Sequence, residues 1–398
     1  MQSLSLLVII GLAVAGYFVA KSRALAVASG DIRTLTALPK QHALNTVLST
    51  IIPPFAAILL ASLYLRLTDG QGSWLLTCVI IAIAVTGFAL SLIGIKRETR
   101  ARRLAERWIL GLLIFASTIA IMTTVGIVFS MLFETFNFFG QYDWRDFFFS
   151  GSWAPNFRGN SDLGILPLLW GTLYISFIAL VFAVPIGLFA AIYLSEYAGP
   201  KLRSVAKPAI EILAGIPTIV YGLFALFVVG PTLRDYFAEP MGLGQSASSV
   251  MTAGLVMGIM LIPFVSSLSD DIINAVPQSL RDGSFGLGAT RSETIRQVVI
   301  PAALPGIIGA VLLAASRAIG ETMIVVLGAG AAARLSLNPF EAMTTVTVKI
   351  VSQLTGDTDF ASPETLVAFA LGLTLFVITL GLNVFALFIV RKYREQYE

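Results

Sequence analysis

The chain has 398 residues, of which 57% are hydrophobic and only 12% charged, with a mean hydropathy of +0.86. A soluble domain is about one quarter charged, so this composition places the chain in a bilayer. The net charge of +3 fits the basic loops of a membrane protein better than a nucleic-acid surface. A single cysteine excludes an internal disulfide and a cysteine-rich metal site.

A membrane-crossing helix needs about 20 mostly apolar residues. Nine runs qualify: Leu4–Ala20, Asn45–Leu67, Trp74–Gly94, Trp108–Leu132, Gly164–Leu194, Ala209–Gly230, Ser249–Leu268, Leu304–Gly328 and Thr365–Val390. The fold class expected is therefore an all-α polytopic membrane protein. The first run is short enough for a signal peptide, with ALAVASG as small residues for a protease. No lysine or arginine precedes it, however, and Lys21 and Arg23 follow, the order of a retained helix with its N-terminus outside. His42 falls between the first two runs and reads as a loop residue.

Alternating sides from that start place residues 21–44, 95–107, 195–208, 269–303 and the C-terminal tail in the cytoplasm, with 19 Lys and Arg. The opposite loops hold 5. This asymmetry is that of the positive-inside rule. The outer segment FETFNFFGQYDWRDFFFSGSWAPNF is rich in rings. It suits either the headgroup layer or the docking of an external partner. Composition divides the chain into residues 1–107, three spans and a basic linker, and residues 108–398. Pro185, Pro217 and Pro263 interrupt runs in the second part, where the freed backbone groups need partners from packing or a cavity.

Between the seventh and eighth runs, DDIINAVPQSLRDGSFGLGATRSETIRQVVIPAALPG is too patterned for a connector. It predicts a short amphipathic helix after Pro277, a bend at Gly286 and Gly288, and a second helix opened by Ser292-Glu293-Thr294. That helix, Thr294–Val299, runs into Pro301. Two helices across a glycine bend form a knob that can receive force from another protein.

Asp282-Gly283-Ser284, Gly288, Val298, Ile300 and Pro301 have the spacing of the coupling motif of binding-protein-dependent ABC importer permeases, though the opening Glu-Ala-Ala triplet is degenerate here. GTLYISFIALVFAVPIGLFAAIYLSEYA (171–198), EILAGIPTIVYGLFALFVVGP (211–231) and SRAIGETMIVVLGAG (316–330) narrow the likeness. From about Trp108 onward the chain resembles the phosphate-specific permeases of the Pst type, closer to the PstC member. The resemblance implies a six-helix type I importer core preceded by a three-helix extension, in the bacterial cytoplasmic membrane. It also implies a second homologous permease, two ATP-binding subunits and an external phosphate-binding protein. No cofactor is then expected on this chain, with ATP and Mg on the partner subunits. In agreement, no glycine is followed by lysine, so there is no GxxxxGK[ST] phosphate loop. The cytoplasmic segment 269–303 becomes the coupling element.

Arg317 and Glu321 stand in an otherwise apolar run. Four residues apart, they share a helix face with Ala310 and Ala314, small residues that mark a packed face. Either they form an internal salt bridge, or Arg317 offers donors to a passing oxyanion while Glu321 holds or gates it. The family resemblance, which matches both residues, favours the second reading, with Thr322 and Asn383 as further donors on the pathway. Rival functions are a permease for sulfate, molybdate or a phosphonate, a secondary transporter, and a reporter of phosphate status.

Overall fold

The computed structural model describes residues 2–29, 32–68, 74–156, 161–356 and 361–394. The connector after Thr68, the tip of the ring-rich segment (157–160) and the last four residues of the tail lie outside the described residues. Among the described residues, nine helices are long and apolar enough to cross a membrane. Two compact units are present, Met1–Gly126 and Ile127–Glu398.

The first unit holds α1 (Gln2–Val27), α2 (Pro39–Leu67), α3 (Trp74–Ile93) and the start of α4 (Ala101–Phe139), within which the division falls. Helices α1, α2 and α3 pack on one another through small residues. Ala20 and Ala24 meet Ala43 and Ile95, while Ile9 meets Ile80 and Ala84. At Gly87 an added Cβ would lie 2.2 Å from the Ser49 carbonyl, so α3 approaches α2 as closely as backbones permit. Arg97 closes one end by donating to the Val27 carbonyl (3.1 Å) and the Ser29 hydroxyl (3.1 Å). His42 corrects the sequence reading: it is buried inside α2, not in a loop. Pro39, which needs no N–H in a first turn, starts the helix six residues before Asn45.

The second unit begins in α4 and continues through α5 (Trp144–Phe149), an antiparallel ribbon of β1 (Trp153–Ala154) and β2 (Asp162–Leu163), and α6 (Leu166–Ile192). Next come α7 (Pro200–Ala214), α8 (Thr218–Phe224), α9 (Gly230–Leu233), α10 (Val250–Ala275), α11 (Gln278–Gly286), α12 (Arg291–Thr294) and α13 (Ile300–Ile319). Last are α14 (Met323–Gly328), α15 (Val346–Gly356) and α16 (Pro363–Arg394). The core is the α6–α10 pair, with Ile175, Ala179, Met257, Leu261 and Val265 fully buried. Gly254 and Gly258 of α10 sit against Ile178 and Ala179 of α6. Helix α13 packs on α6, α10 and α16.

The ring-rich segment folds into a core of its own. Phe138 and Phe147 are fully buried, with Trp153, Leu163 and Leu168 around them. Phe136, Trp144 and Phe149 remain exposed, so only part of the segment is free to meet lipid or a partner.

Two expected spans break where hydropathy runs on. Ala209–Gly230 divides at Pro217, which caps α8 in extended backbone. The residue before a proline is also pushed out of helical backbone. Leu304–Gly328 divides at Gly320, where α13 ends. At its other end, α13 continues a helix that starts at Arg291. Pro301 does not stop it, because Ile295–Val299 form a π turn in which the Ile300 amide reaches back to Ile295. A proline ring crowds the carbonyl four residues earlier, and one wider turn relieves that clash. The same device precedes Pro231, where Gly230 bonds to Ala225.

Candidate functional site

The break at Gly320 separates the two charged residues. Arg317 lies in the last turn of α13, and Glu321 follows the break, so they do not share a continuous helix face. Among the described residues no ion pair joins them. The Glu321 carboxylate turns forward instead. Its Oε1 accepts the backbone N–H groups of Thr322 (3.1 Å), Met323 (3.0 Å) and Ile324 (3.4 Å), the amides that the end of α13 leaves free. A negative charge at the start of α14 also meets the positive end of that helix. The Thr347 hydroxyl donates to the Glu321 carbonyl at 2.9 Å. Glu321 is 9% exposed.

Arg317 is exposed, contrary to the expectation that both charges point inward. Its guanidinium carbon lies 4.2 Å from the centroid of the Phe264 ring of α10, a cation–π contact, and among the described residues no carboxylate pairs with it. The alanine stripe itself packs as the spacing implies, with Ala310, Ala314 and Ala318 buried. Asn383 of α16 approaches the hydroxyl of Ser316, the residue before Arg317 in sequence, at 3.5 Å. Thr322 is half-buried at the start of α14. Phe264 and Thr347 have no signal in the sequence, since each reaches the site only by tertiary packing.

At the other end of α13 the knob is present with altered boundaries. Asp282, Gly283 and Ser284 lie in α11, and Gly286 is its last residue rather than part of the bend. Gly288 alone takes left-handed backbone, with φ +87°, and nothing lies within 4 Å of an added Cβ. The second helix opens earlier than Ser292. The Thr290 hydroxyl accepts the Glu293 N–H, and the Glu293 carboxylate accepts the Thr290 N–H at 2.8 Å. This capping box was legible in TRSE. The Ser284 and Thr294 hydroxyls meet at 2.9 Å and tie the two arms together. Leu287, at the tip, is 91% exposed. Val298, Ile300 and Pro301 are half-buried along the π turn and the start of α13.

A charged cluster beside the knob is not visible in sequence. Asp270 of α10 is 1% exposed. It accepts from Arg203 (2.9 and 3.0 Å) and Lys207 (2.8 Å) of α7 and from Asn274 (3.0 Å). A buried charge needs this number of partners. The hydrogen bond to Asp270 holds the Lys207 ammonium above the usual lysine range, so Lys207 stays charged at neutral pH. No group of three or more metal-ligating side chains occurs among the described residues.

The chain is similar to known proteins. The family model for the binding-protein-dependent transport system inner membrane component matches residues 183–395. The model for a phosphate ATP-binding cassette transporter matches residues 6–69. The PstC phosphate transport system permease protein of Mesorhizobium japonicum is 36% identical over 252 residues, which covers 58% of this chain and 74% of that protein. The PstC protein of Pasteurella multocida is 32% identical over 303 residues, covering 71% and 89%. Among solved structures, a bacterial alginate ABC transporter with its periplasmic protein aligns over 75% of this chain and 99% of that one, at 16% identity and TM-score 0.51, and so shares the fold. A helical membrane unit with a two-armed knob, matched over more than half its length by one family, leaves a single assignment: the chain belongs to the inner membrane components of binding-protein-dependent transport systems, and among them to the PstC phosphate permeases.

Proposed function

We propose that this chain forms, with a second homologous permease, the pathway of an ATP-driven importer of inorganic phosphate. The observation that carries the cargo is the phosphate-transporter match at residues 6–69. It lies outside the shared permease core, in a chain whose core aligns with PstC proteins. Residues 1–107 then form a membrane extension to a permease domain at residues 108–398. ATP and Mg belong to two partner ATPases, an external protein delivers phosphate, and the chain carries out no covalent chemistry. Its place is the inner membrane of a bacterium. The N-terminus lies outside and the C-terminus in the cytoplasm, as the charge asymmetry favours.

On this reading Arg317 is the contact for the anion. A planar guanidinium presents paired N–H groups that match two oxygens of a tetrahedral oxyanion. The Phe264 ring lies against that fork, and among the described residues no carboxylate pairs with it. Glu321, Thr322 and Asn383 line the same end of α13. The segment from Asp282 to Pro301 receives the ATPase. The test is radiolabelled phosphate uptake in cells that lack other phosphate importers. Uptake restored by this chain and its partners, and competed by unlabelled phosphate but not by sulfate, molybdate or a phosphonate, is the expected result. Equal competition by sulfate would reassign the cargo.

A further inference from the structure

Glu196, in a π turn that ends α6, is held twice by the knob. Its carboxylate accepts from Arg281 of α11 at 2.9 Å, and its backbone carbonyl accepts from Arg291 of α12. Arg291 also lies 5.3 Å over the neighbouring Tyr197 ring. Arg281 does more than pair. The same guanidinium donates to the Ile273 carbonyl (2.8 Å) and the Val276 carbonyl (2.7 Å), which ends α10. Both side chains of the pair are nearly buried, Arg281 12% and Glu196 11% exposed, so solvent screens it little. These groups line a cavity of about 620 Å³ between the two arms and α6.

The far end of α6 meets the Glu321 region. The Thr172 hydroxyl accepts the Val346 N–H at 3.0 Å, and the Gly171 backbone lies directly on the Thr344 carbonyl. One residue beyond Val346, Thr347 bonds to the Glu321 carbonyl. A helix rises about 1.5 Å per residue, so α6 links the two ends over about 35 Å. We infer that Glu196 is a positioning residue: gripped by both arms of the knob, it hands their displacement to α6, and α6 carries it to the threonine segment that holds Glu321. This rests on the proposed role of the knob as the seat of the ATPase. The Arg281 fork ties the ends of α6 and α10 to one group, so the three elements move together.

The experiment uses the complete transporter in liposomes and reads phosphate moved per ATP hydrolysed. Glu196→Ala is expected to lower that ratio by about tenfold or more, the weight of one charge-assisted hydrogen bond, while ATP hydrolysis continues. Arg281→Ala should lose at least as much, because it also frees the two carbonyls at the end of α10, and the double variant should fall no further than Arg281→Ala, because both substitutions cut the Glu196 linkage. Glu196→Gln keeps an acceptor oxygen and should lose less. An unchanged ratio in Glu196→Ala, or a double variant that falls by the product of the single losses, overturns the inference. A second measurement does not depend on cargo. Spin labels at Ser195→Cys and Gln278→Cys, in a Cys78→Ser background, should keep one separation with and without vanadate-trapped nucleotide. They should spread when Glu196→Ala is added. Spreading with Glu196 intact overturns the clasp. A wild-type complex that hydrolyses ATP without moving phosphate would sink the phosphate reading, while the labels still decide for or against the clasp.

Discussion

Helix α13 and its continuation are interrupted at both ends, and the two interruptions are built in opposite ways. The break at Gly320 is followed by a nearly buried carboxylate that accepts three backbone amides. The bend at Gly288 has no side chain at all, a left-handed φ and open space around it. The surroundings explain the contrast. A break inside protein cannot leave its amides to water, so the chain supplies an acceptor of its own. A bend at the surface needs only a backbone that sterics permit, and glycine has it. One interruption therefore depends on a side chain and the other on the lack of one.

The largest expected effect comes from removing the acceptor. Glu321→Ala leaves the Thr322, Met323 and Ile324 amides unmet, at a cost of about 1–3 kcal/mol for a buried donor left unsatisfied. Unfolding temperature in detergent should drop, and phosphate uptake should fall by about 100-fold or more, a barrier change of roughly 3 kcal/mol. Glu321→Gln retains an acceptor oxygen without the charge. It should keep the fold and still lose transport. An unshifted unfolding temperature in Glu321→Ala would show that the cap does not hold the break.

Arg317 is next. With no ion pair to Glu321, removal of its charge leaves no buried partner uncompensated, so Arg317→Gln should reach the membrane at normal levels and fail in uptake. Arg317→Lys keeps charge but loses the planar fork and its fit over Phe264. Uptake should fall about tenfold, near 1.4 kcal/mol. A salt-bridge role would instead let Glu321→Gln rescue Arg317→Gln. Near-normal uptake by that double variant, with membrane levels checked by immunoblot, would reduce both residues to packing.

At the bend the sign reverses, since adding a side chain does the damage. Gly288→Val forces a β-branched residue to φ +87°, at a cost of about 1–2 kcal/mol for left-handed backbone. No atom lies in its way, so the strain is all in the backbone. Phosphate moved per ATP should fall several-fold in Gly288→Val and less in Gly288→Asn, because asparagine tolerates this region. Equal coupling in both would remove the backbone requirement.

Local patterns carried most of what the sequence revealed. Length and hydropathy located nine spans, and the PQSLRDGSFGLG pattern located the knob, because each is written in neighbouring residues. Hydropathy windows average across a single Pro217 or Gly320, so they merged segments that the structure divides. Glu321 was legible as an anomaly but not as a cap, since helical spacing assumed a helix that stops at Ile319. Glu196, Arg281, Asp270 and Lys207 were read only as loop charges or not at all. The Arg281–Glu196 pair is 85 residues apart in sequence, and Lys207–Asp270 is 63 apart. Nothing local announces such partners.

The smallest expected effect sits between the two arms of the knob. Ser284 and Thr294 share one hydrogen bond, 2.9 Å long, and Ser284 occupies the third position of the coupling triplet, where the family pattern has alanine. Ser284→Ala therefore restores the family residue and deletes the tie. A neutral hydrogen bond contributes about 0.5–1.5 kcal/mol net, and the Thr294 hydroxyl left behind is buried. If the tie stiffens the knob, phosphate moved per ATP should fall about threefold, since about 0.6 kcal/mol, the low end of that range, is one multiple of RT. Adding Thr294→Val should then recover part of the loss, because it removes the stranded hydroxyl and fills the space with a methyl group of like shape. A single variant that loses coupling as severely as Gly288→Val would mean the arms rely on this bond more than on the bend. Unchanged coupling would show that Arg281 and Arg291 hold the arms without it.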